Sequence, residues 1–345
     1  MQKTIYVVDD NDTNLAMAED ALKEQYRVMT LPSAAKMFKL LGKIKPDLIL
    51  LDIEMPEMNG FEALSLLKND DSYSDIPVIF LTSMTDAVTE VRGFELGVVD
   101  FIKKPFTTPI LMNRIRTHLH IDELIRERTE QLHNLKNSII FSFADIVETR
   151  DQDTGGHVER TSTYIQILAD AMLAHGIYAA ELEKLDMELF ISSARLHDLG
   201  KLAISDVILN KPDRLTDGEF EIMKTHTTEG ERAIDQIASR TDDVEFLRNA
   251  KLFAGYHHER WDGKGYPHGV AGTDIPIQGR VMALVDVYDA LVSERPYKKP
   301  FTEDKAVGII MENSGAHFDP FIVDVFCAVR EKFEAVRSMQ VNDMM

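Results

Sequence analysis

The chain has 345 residues, a formal charge of −20 at pH 7 and one cysteine, Cys327. These exclude a small disulfide-stapled fold and argue against direct DNA binding, because neutralising phosphates takes a basic face. The length accommodates two domains with separate cores, no run reaches the ~20 apolar residues needed to span a bilayer, and MQKTIYVVDD has no secretion-signal core, so the expectation is a cytoplasmic protein without membrane contact.

The first 120 residues alternate short apolar runs with helical periodicity. Strands are expected at Thr4–Asp10, in YRVMTL, at Asp47–Asp52, Pro77–Ser83 and Asp100–Phe106. Helices are expected through Leu15 to Leu22, at Ala34–Ile44, from Phe61, and near Ala87–Leu96. Continuous apolar strands alternating with helices imply a parallel sheet covered on both faces, with function at the carboxyl ends of its strands. Those ends carry Asp9, Asp10, Asp52, Thr82 and Lys104. Carboxylates grouped there suit a hard cation such as Mg²⁺, Lys104 offers a countercharge for a phosphate, and Thr82 offers a hydroxyl.

From Thr107 the helical pattern continues. His118, Ile121, Ile125, Arg128, Leu132, Leu135 and Ile139 fall on alternating steps of three and four, a heptad seam with a charged Arg128 within it. The expectation is a parallel coiled coil joining two protomers. The alternative is one amphipathic helix lying on its own domain.

Beyond Ser138 the periodicity is helical in Ile139–Val147, Tyr164–Leu173, Leu185–Leu196, Val281–Leu291 and Phe321–Phe333, so an all-α bundle is expected. HDLGK at His197–Lys201 places His and Asp side by side at the end of an apolar segment, where an unpaired imidazole or carboxylate is costly. His157, His226, His257, His258 and Asp286 stand in comparable settings, and with His197 and Asp198 they make seven candidate metal ligands. Neighbouring helical side chains diverge by about 100°, so each adjacent pair is expected to serve two metals lying side by side, with Asp198 bridging them. Imidazole and carboxylate together suit Fe, Mn or Zn. His118, His120, His133, His175, His268 and His317 read as surface or packing residues, and Asp262, Arg280 and Asp289 as structural ones. Tyr266 lies on a Gly-rich turn, while Arg295 and Lys298 supply scarce positive charge for a phosphate.

Two families share these motifs. Asp9-Asp10, Asp52 ahead of MPEMNG, Thr82 and Lys104-Pro105 resemble the receiver domain of two-component response regulators. The resemblance implies a doubly wound five-stranded sheet of order 2-1-3-4-5, with Asp52 phosphorylated by a sensor histidine kinase. Mg²⁺ would be held by Asp10 and Asp52, beside Asp9, with the carbonyl of Glu54. Phe101 would stand at the switch aromatic, without the usual tyrosine hydroxyl. The remainder, from about Phe143 to Phe326, resembles the HD-GYP group of the HD phosphohydrolases through ETRDQDTGGHVER, LHDLGK, ILNKPDRLT, HHERWDGKGYP, DVYDAL and RPYK.

The second resemblance implies hydrolysis of cyclic di-GMP to pGpG or GMP at a site of two or three ions, iron with manganese as the alternative. All seven candidates map to metal positions. Asp153 stands where members with a third ion place a glutamate, and as either ligand or cap it leaves the ion count open. Tyr266, Arg295 and Lys298 would contact the substrate phosphates. Lys201 would stabilise charge or protonate the leaving oxygen, while two ions lower the pKa of a water between them. The expected organisation is a receiver domain at 1–120, a helical connector at 121–140 and a phosphodiesterase domain at 141–345, working as a homodimer. Alternatives are another cyclic dinucleotide such as cyclic GMP-AMP, a different HD-type nucleotide hydrolase, or an interaction module binding diguanylate cyclases (GGDEF proteins).

Overall fold

The computed structural model describes residues 2–83, 87–151, 156–241, 244–293 and 299–343, with side chains to residue 337. The chain divides into two compact units, Met1–His133 and Asn134–Met345.

In the first unit the strands β1 (Thr4–Val8), β2 (Arg27–Leu31), β3 (Leu48–Asp52), β4 (Val78–Thr82) and β5 (Asp100–Lys103) alternate with helices α1 (Asp12–Leu22), α2 (Ala34–Leu41), α3 (Gly60–Lys68) and α4 (Ala87–Glu95). The sheet is parallel with order β2-β1-β3-β4-β5, as expected. β1, β3 and β4 are buried at every position, so both faces need cover. Met37, Leu41, Leu64 and Leu67 from α2 and α3 pack one face, and Leu15, Leu22, Leu111 and Ile115 pack the other. Each such side chain contributes roughly 1.5–3 kcal/mol on burial. β1 stops at Val8 and leaves Asp9 and Asp10 beyond its carboxyl end, beside Asp52 at the end of β3. Gly60 is required there, because a Cβ on it would run into the carbonyl of Asp52.

α5 (Thr108–Arg150) is one helix of 43 residues, and the division between the units falls inside it. Ile121, Ile125, Leu132, Leu135 and Ile139 are all exposed along it. His118, expected at the head of that seam, is instead half-buried and tied to Asp100 at 3.0 Å.

The second unit is helical among its described residues: α6 (His157–Ala174), α7 (Ala179–Leu182), α8 (Met187–Ser193), α9 (Asp206–Leu209), α10 (Asp217–Lys224), α11 (His226–Ala238), α12 (Val244–Tyr256), α13 (Ile277–Val292), α14 (Glu303–Glu312) and α15 (Pro320–Asp343). α13 is buried nearly all round and therefore central. Val281, Leu284, Val285 and Tyr288 pack with Tyr164 and Leu168 of α6 and with Phe326 and Phe333 of α15. A smaller cluster of Leu196, Ile234, Phe246, Leu247, Ala250 and Ala254 joins α11 and α12 to the HDLGK segment.

The helix expected over Leu185–Leu196 is interrupted. α8 ends at Ser193, and two 3-10 turns, Ala194–Leu196 and Leu199–Ala203, flank His197 and Asp198. Gly200 lies so close to the backbone of α11 that a Cβ would collide with the carbonyl of His226. This backbone-to-backbone approach brings the HDLGK turn against the start of α11. No helix among the described residues is long and apolar enough to cross a membrane.

Candidate metal centre and phosphoacceptor site

At the sheet edge, ligand oxygens of Asp9, Asp10 and Asp52 lie within 4.8 Å of one another. Lys104 Nζ reaches Asp9 at 3.0 Å and Asp52 at 2.7 Å. Asn14 Nδ2 donates to both oxygens of Asp9, and the Glu54 amide donates to Asp52. Burial raises the pKa of Asp52 against the pull of Lys104, with the charge of Asp9 adding to the rise. Two nearly buried carboxylates sharing one ammonium leave negative charge for a divalent cation, and an all-oxygen set suits a hard ion. Thr82 is buried at the end of β4, and Glu54 accepts from Ser83 Oγ at 2.8 Å. The Phe101 ring lies between Phe80 and Phe94, at centroid distances of 5.6 and 5.2 Å.

In the helical unit the seven candidate ligands converge. His157, His197 and Asp198 form one group, and His226, His257 and His258 another, each with ligand atoms within 4.8 Å. His157 starts α6 and His226 starts α11, whereas His257 and His258 directly follow α12. Asp286 projects from α13, its Oδ1 lying 3.6 Å from His157 Nε2. Neither adjacent pair lies within an α-helix, so the expected 100° divergence does not place them. His197 Nε2 is 3.2 Å from Asp198 Oδ2, and the turn itself brings the two together.

Hydrogen bonding sets the tautomers. His226 Nδ1 faces the Met223 carbonyl at 2.8 Å, His197 Nδ1 that of Ala194 at 3.0 Å, and His257 Nδ1 those of Phe253 and Ala254 at 3.0 Å. His157 Nδ1 faces Asp289 at 2.8 Å. These partners only accept, so each Nδ1 carries its hydrogen and a neutral ring turns a bare Nε2 lone pair inward. His226 Nε2 and His257 Nε2 stand 3.2 Å apart, and buried His197 Nε2, 3.2 Å from Asp198 Oδ2, has no aligned hydrogen bond among the described residues. Such facing lone pairs repel unless a cation lies among them, so the donor set fits metal ions of imidazole–carboxylate preference.

Asp198 lies between the two groups. Its Oδ1 is 3.6 Å from His226 Nε2 and 3.7 Å from His257 Nε2, while Oδ2 faces His197 and, at 2.9 Å, Lys201 Nζ. Burial pushes its pKa up, but Lys201 and His197 outweigh that and hold it well below the usual carboxylate range. Burial holds His226 and His258 below the ordinary histidine value and takes His257 down to about 3, so these rings stay neutral. His157 differs: burial lowers it, but the hydrogen bond and charge of Asp289 lift it to about 9. Lys201 is opposed by burial and raised by Asp198 and Asp151, to which it is also hydrogen-bonded. Tyr266 stacks on His258 at 4.8 Å, and its amide donates to the His258 carbonyl.

Asp153, Arg295 and Lys298 lie outside the described residues. Of the remaining histidines, His268 stacks on Tyr256 and His317 on Phe318, both as packing. Asp262 pairs with Arg260, and Arg280 with Asp319 and Glu181, as structural contacts. Asp289 does more, since it orients His157.

Sequence reasoning passed over four further residues. Glu148 accepts from the His157 and Val158 amides at the start of α6, and Asp151 holds Lys201. Arg150 donates to the carbonyls of Lys201, Leu202 and Ile204. Buried Glu259 accepts from the His268 and Gly269 amides, anchoring the turn that bears Tyr266. Three of the four lie in the ETRD segment ahead of His157, a charged cluster at a helix end that was the available signal.

Comparison with known proteins adds to this geometry. The HD domain model matches residues 142–322, and the response regulator receiver domain model matches residues 5–116. The chain is 38% identical over 347 residues to a "Probable cyclic di-GMP phosphodiesterase" of Vibrio cholerae, covering 96% of this chain and 79% of that protein. It is 33% identical over 304 residues to the "Cyclic di-GMP phosphodiesterase response regulator RpfG" of Xanthomonas campestris, covering 84% and 77%. It is also 37% identical over 207 residues to the "3'3'-cGAMP-specific phosphodiesterase 2" of Vibrio cholerae, covering 60% of this chain and 37% of that one.

Proposed function

We propose that this chain, which belongs to the HD-domain family and bears a response regulator receiver domain, hydrolyses cyclic di-GMP to pGpG or GMP under control of phosphorylation at Asp52. One observation carries the reading: four imidazoles, each with Nδ1 tied to an acceptor, turn Nε2 inward around the carboxylate of Asp198. His157, His197 and Asp286 would hold one ion, His226, His257 and His258 a second, and Asp198 would give an oxygen to each. Iron or manganese suits this set, and Mg²⁺ the oxygen set at Asp9, Asp10 and Asp52. Bound divalent ions supply Lewis acidity, lowering the pKa of water and offsetting phosphodiester charge.

The chain's own side chains supply the rest. Lys201, with its pKa raised, stays charged at neutral pH and stabilises negative charge on the phosphate and the leaving 3′ oxygen. That role suits it better than giving up a proton. Tyr266 has its hydroxyl pKa raised by burial and by Asp198 and Asp286, so it remains a hydrogen-bond donor to a phosphate oxygen. From the sequence, Arg295 and Lys298 are assigned to the phosphates, and Asp153 is the candidate ligand for a third ion, should one bind. In the receiver, a sensor kinase is the expected phosphodonor, Lys104 pairs with the new charge on Asp52, and Thr82 and Phe101 respond to it.

Anaerobically purified, metal-loaded protein should convert cyclic di-GMP, with metal content measured on the same sample, and Asp198→Ala should abolish turnover. A fully loaded wild type that leaves the substrate intact would refute the activity. The 37% identity to a protein named for 3′3′-cGAMP favours running that dinucleotide beside it, and exclusive turnover of cGAMP would reassign the substrate. A small-molecule phosphodonor should label the wild type but not Asp52→Asn.

A further inference from the structure

The rim of the metal centre carries an exposed aromatic side chain that the hydrolysis described above does not use. α10 has no buried residue, so it adds little to the core, yet it is held at both ends. At its start Thr216 and Glu219 form a capping box, and Lys211 pairs with Glu219 at 2.6 Å. At its end the Met223 carbonyl accepts from Nδ1 of His226 at 2.8 Å, which ties the helix to the metal centre. Such a helix is explained by what it displays.

It displays Phe220, which is 47% exposed. The Phe220 ring lies 6.4 Å from that of Tyr266 at 80°, and Tyr266 in turn stacks on His258. One turn further along, Lys224 Nζ stands 5.5 Å from the Phe220 ring and 5.6 Å from that of Tyr266. Adjacent rings therefore lead from the histidine cluster to a half-exposed aromatic ring with an ammonium over it. Lys224 is paired with exposed Glu221 at 2.6 Å, and such a surface pair is readily exchanged for another acceptor.

We propose that Phe220 and Lys224 form a base subsite, an inference that rests on the reading of the substrate as a cyclic dinucleotide. The Phe220 ring stacks one purine, which it does for any base. Lys224 selects among bases, because an ammonium only donates. Guanine presents two acceptors, N7 and O6, along the edge where adenine pairs an acceptor with an amino donor. Phe220 thus sets affinity, and Lys224 sets preference for guanine.

The test is steady-state kinetics of the full, metal-loaded chain on cyclic di-GMP and cyclic di-AMP. Phe220→Ala should raise KM for cyclic di-GMP on the order of ten- to a hundredfold, with kcat and metal content near wild type, and Phe220→Tyr should restore KM. Lys224→Gln should bring the ratio of kcat/KM between the two dinucleotides toward one. A Phe220→Ala KM within twofold of wild type overturns the subsite. So does a joint fall in kcat and metal content that Phe220→Tyr fails to rescue, because α10 would then be only a structural support. If the wild type hydrolyses none of cyclic di-GMP, cyclic di-AMP and 3′3′-cGAMP, the substrate reading itself fails, which is a different result from either of these.

Discussion

Asp289 is 1% exposed, and its carboxylate accepts from His157 Nδ1 at 2.8 Å and from Arg160 at 2.7 and 2.8 Å. It holds no candidate ligand position, yet it orients one. Burial raises its pKa, but Arg160 and His157 outweigh that and take it down to about 2, so it remains an anion. Asp289→Asn should lower metal affinity on the order of ten- to a hundredfold, as loss of an outer partner of a ligating histidine does, read by metal retention against a graded chelator. Unchanged retention would reduce Asp289 to a structural ion pair. Asp286 was legible in the sequence as a carboxylate among Ala283, Leu284, Val285 and Val287. Asp289, one turn on, was not, because its partner His157 is 132 residues away along the chain. Gly200 was similarly silent, since the need for a glycine comes from the carbonyl of His226, which only packing brings near.

At the scale of elements, the last turn of α5 does more than the heptad pattern implies. Arg150 donates to the carbonyls of Lys201, Leu202 and Ile204 and pairs with Asp206 at 2.8 Å, so the end of this helix clamps the backbone of the HDLGK turn. Glu148 and Asp151, on either side, hold the start of α6 and Lys201. Arg150→Ala should cost roughly 2 kcal/mol in thermal denaturation of the full chain and reduce kcat through a loosened Lys201. Arg150→Lys should recover only part of either, because one ammonium cannot reproduce the planar guanidinium fork. Full rescue by lysine would leave charge alone as the cause. The periodicity of α5 was plain from Ile121 to Ile139, and these side chains are exposed in the single chain, the surface a parallel coiled-coil dimer would cover. What periodicity could not convey was the helix end, where contacts with residues 50 or more positions away replace the heptad.

For the whole molecule, the buried histidines make stability depend on pH. In metal-free protein, burial and Arg260 hold His317 down to about 4, and burial holds His257 down to about 3. An unfolded histidine titrates near 6.5, so below that value the unfolded chain binds protons that the folded one refuses, and stability falls as acid is added. His157 has the opposite sign: with its pKa at about 9, its contribution is complete below 6.5 and lost as pH rises through 9. The chelated protein should therefore lose melting temperature from pH 6.5 toward 4. His317→Gln, which removes no candidate ligand, should flatten that limb, and an unaltered limb would remove His317 from the account.

The sequence by itself determined the two fold classes, the strand-end acids and the seven candidate ligands. Strand and helix periods are local, and a polar residue in an apolar run announces its need for a partner wherever the partner lies. Only the tertiary structure decided which partner each one meets. It set Asp198 between two groups of imidazoles, fixed the tautomers through carbonyls and Asp289, and brought Phe220 to the rim beside Tyr266. Those relations depend on chain segments far apart in sequence, joined by turns whose backbone no residue pattern specifies.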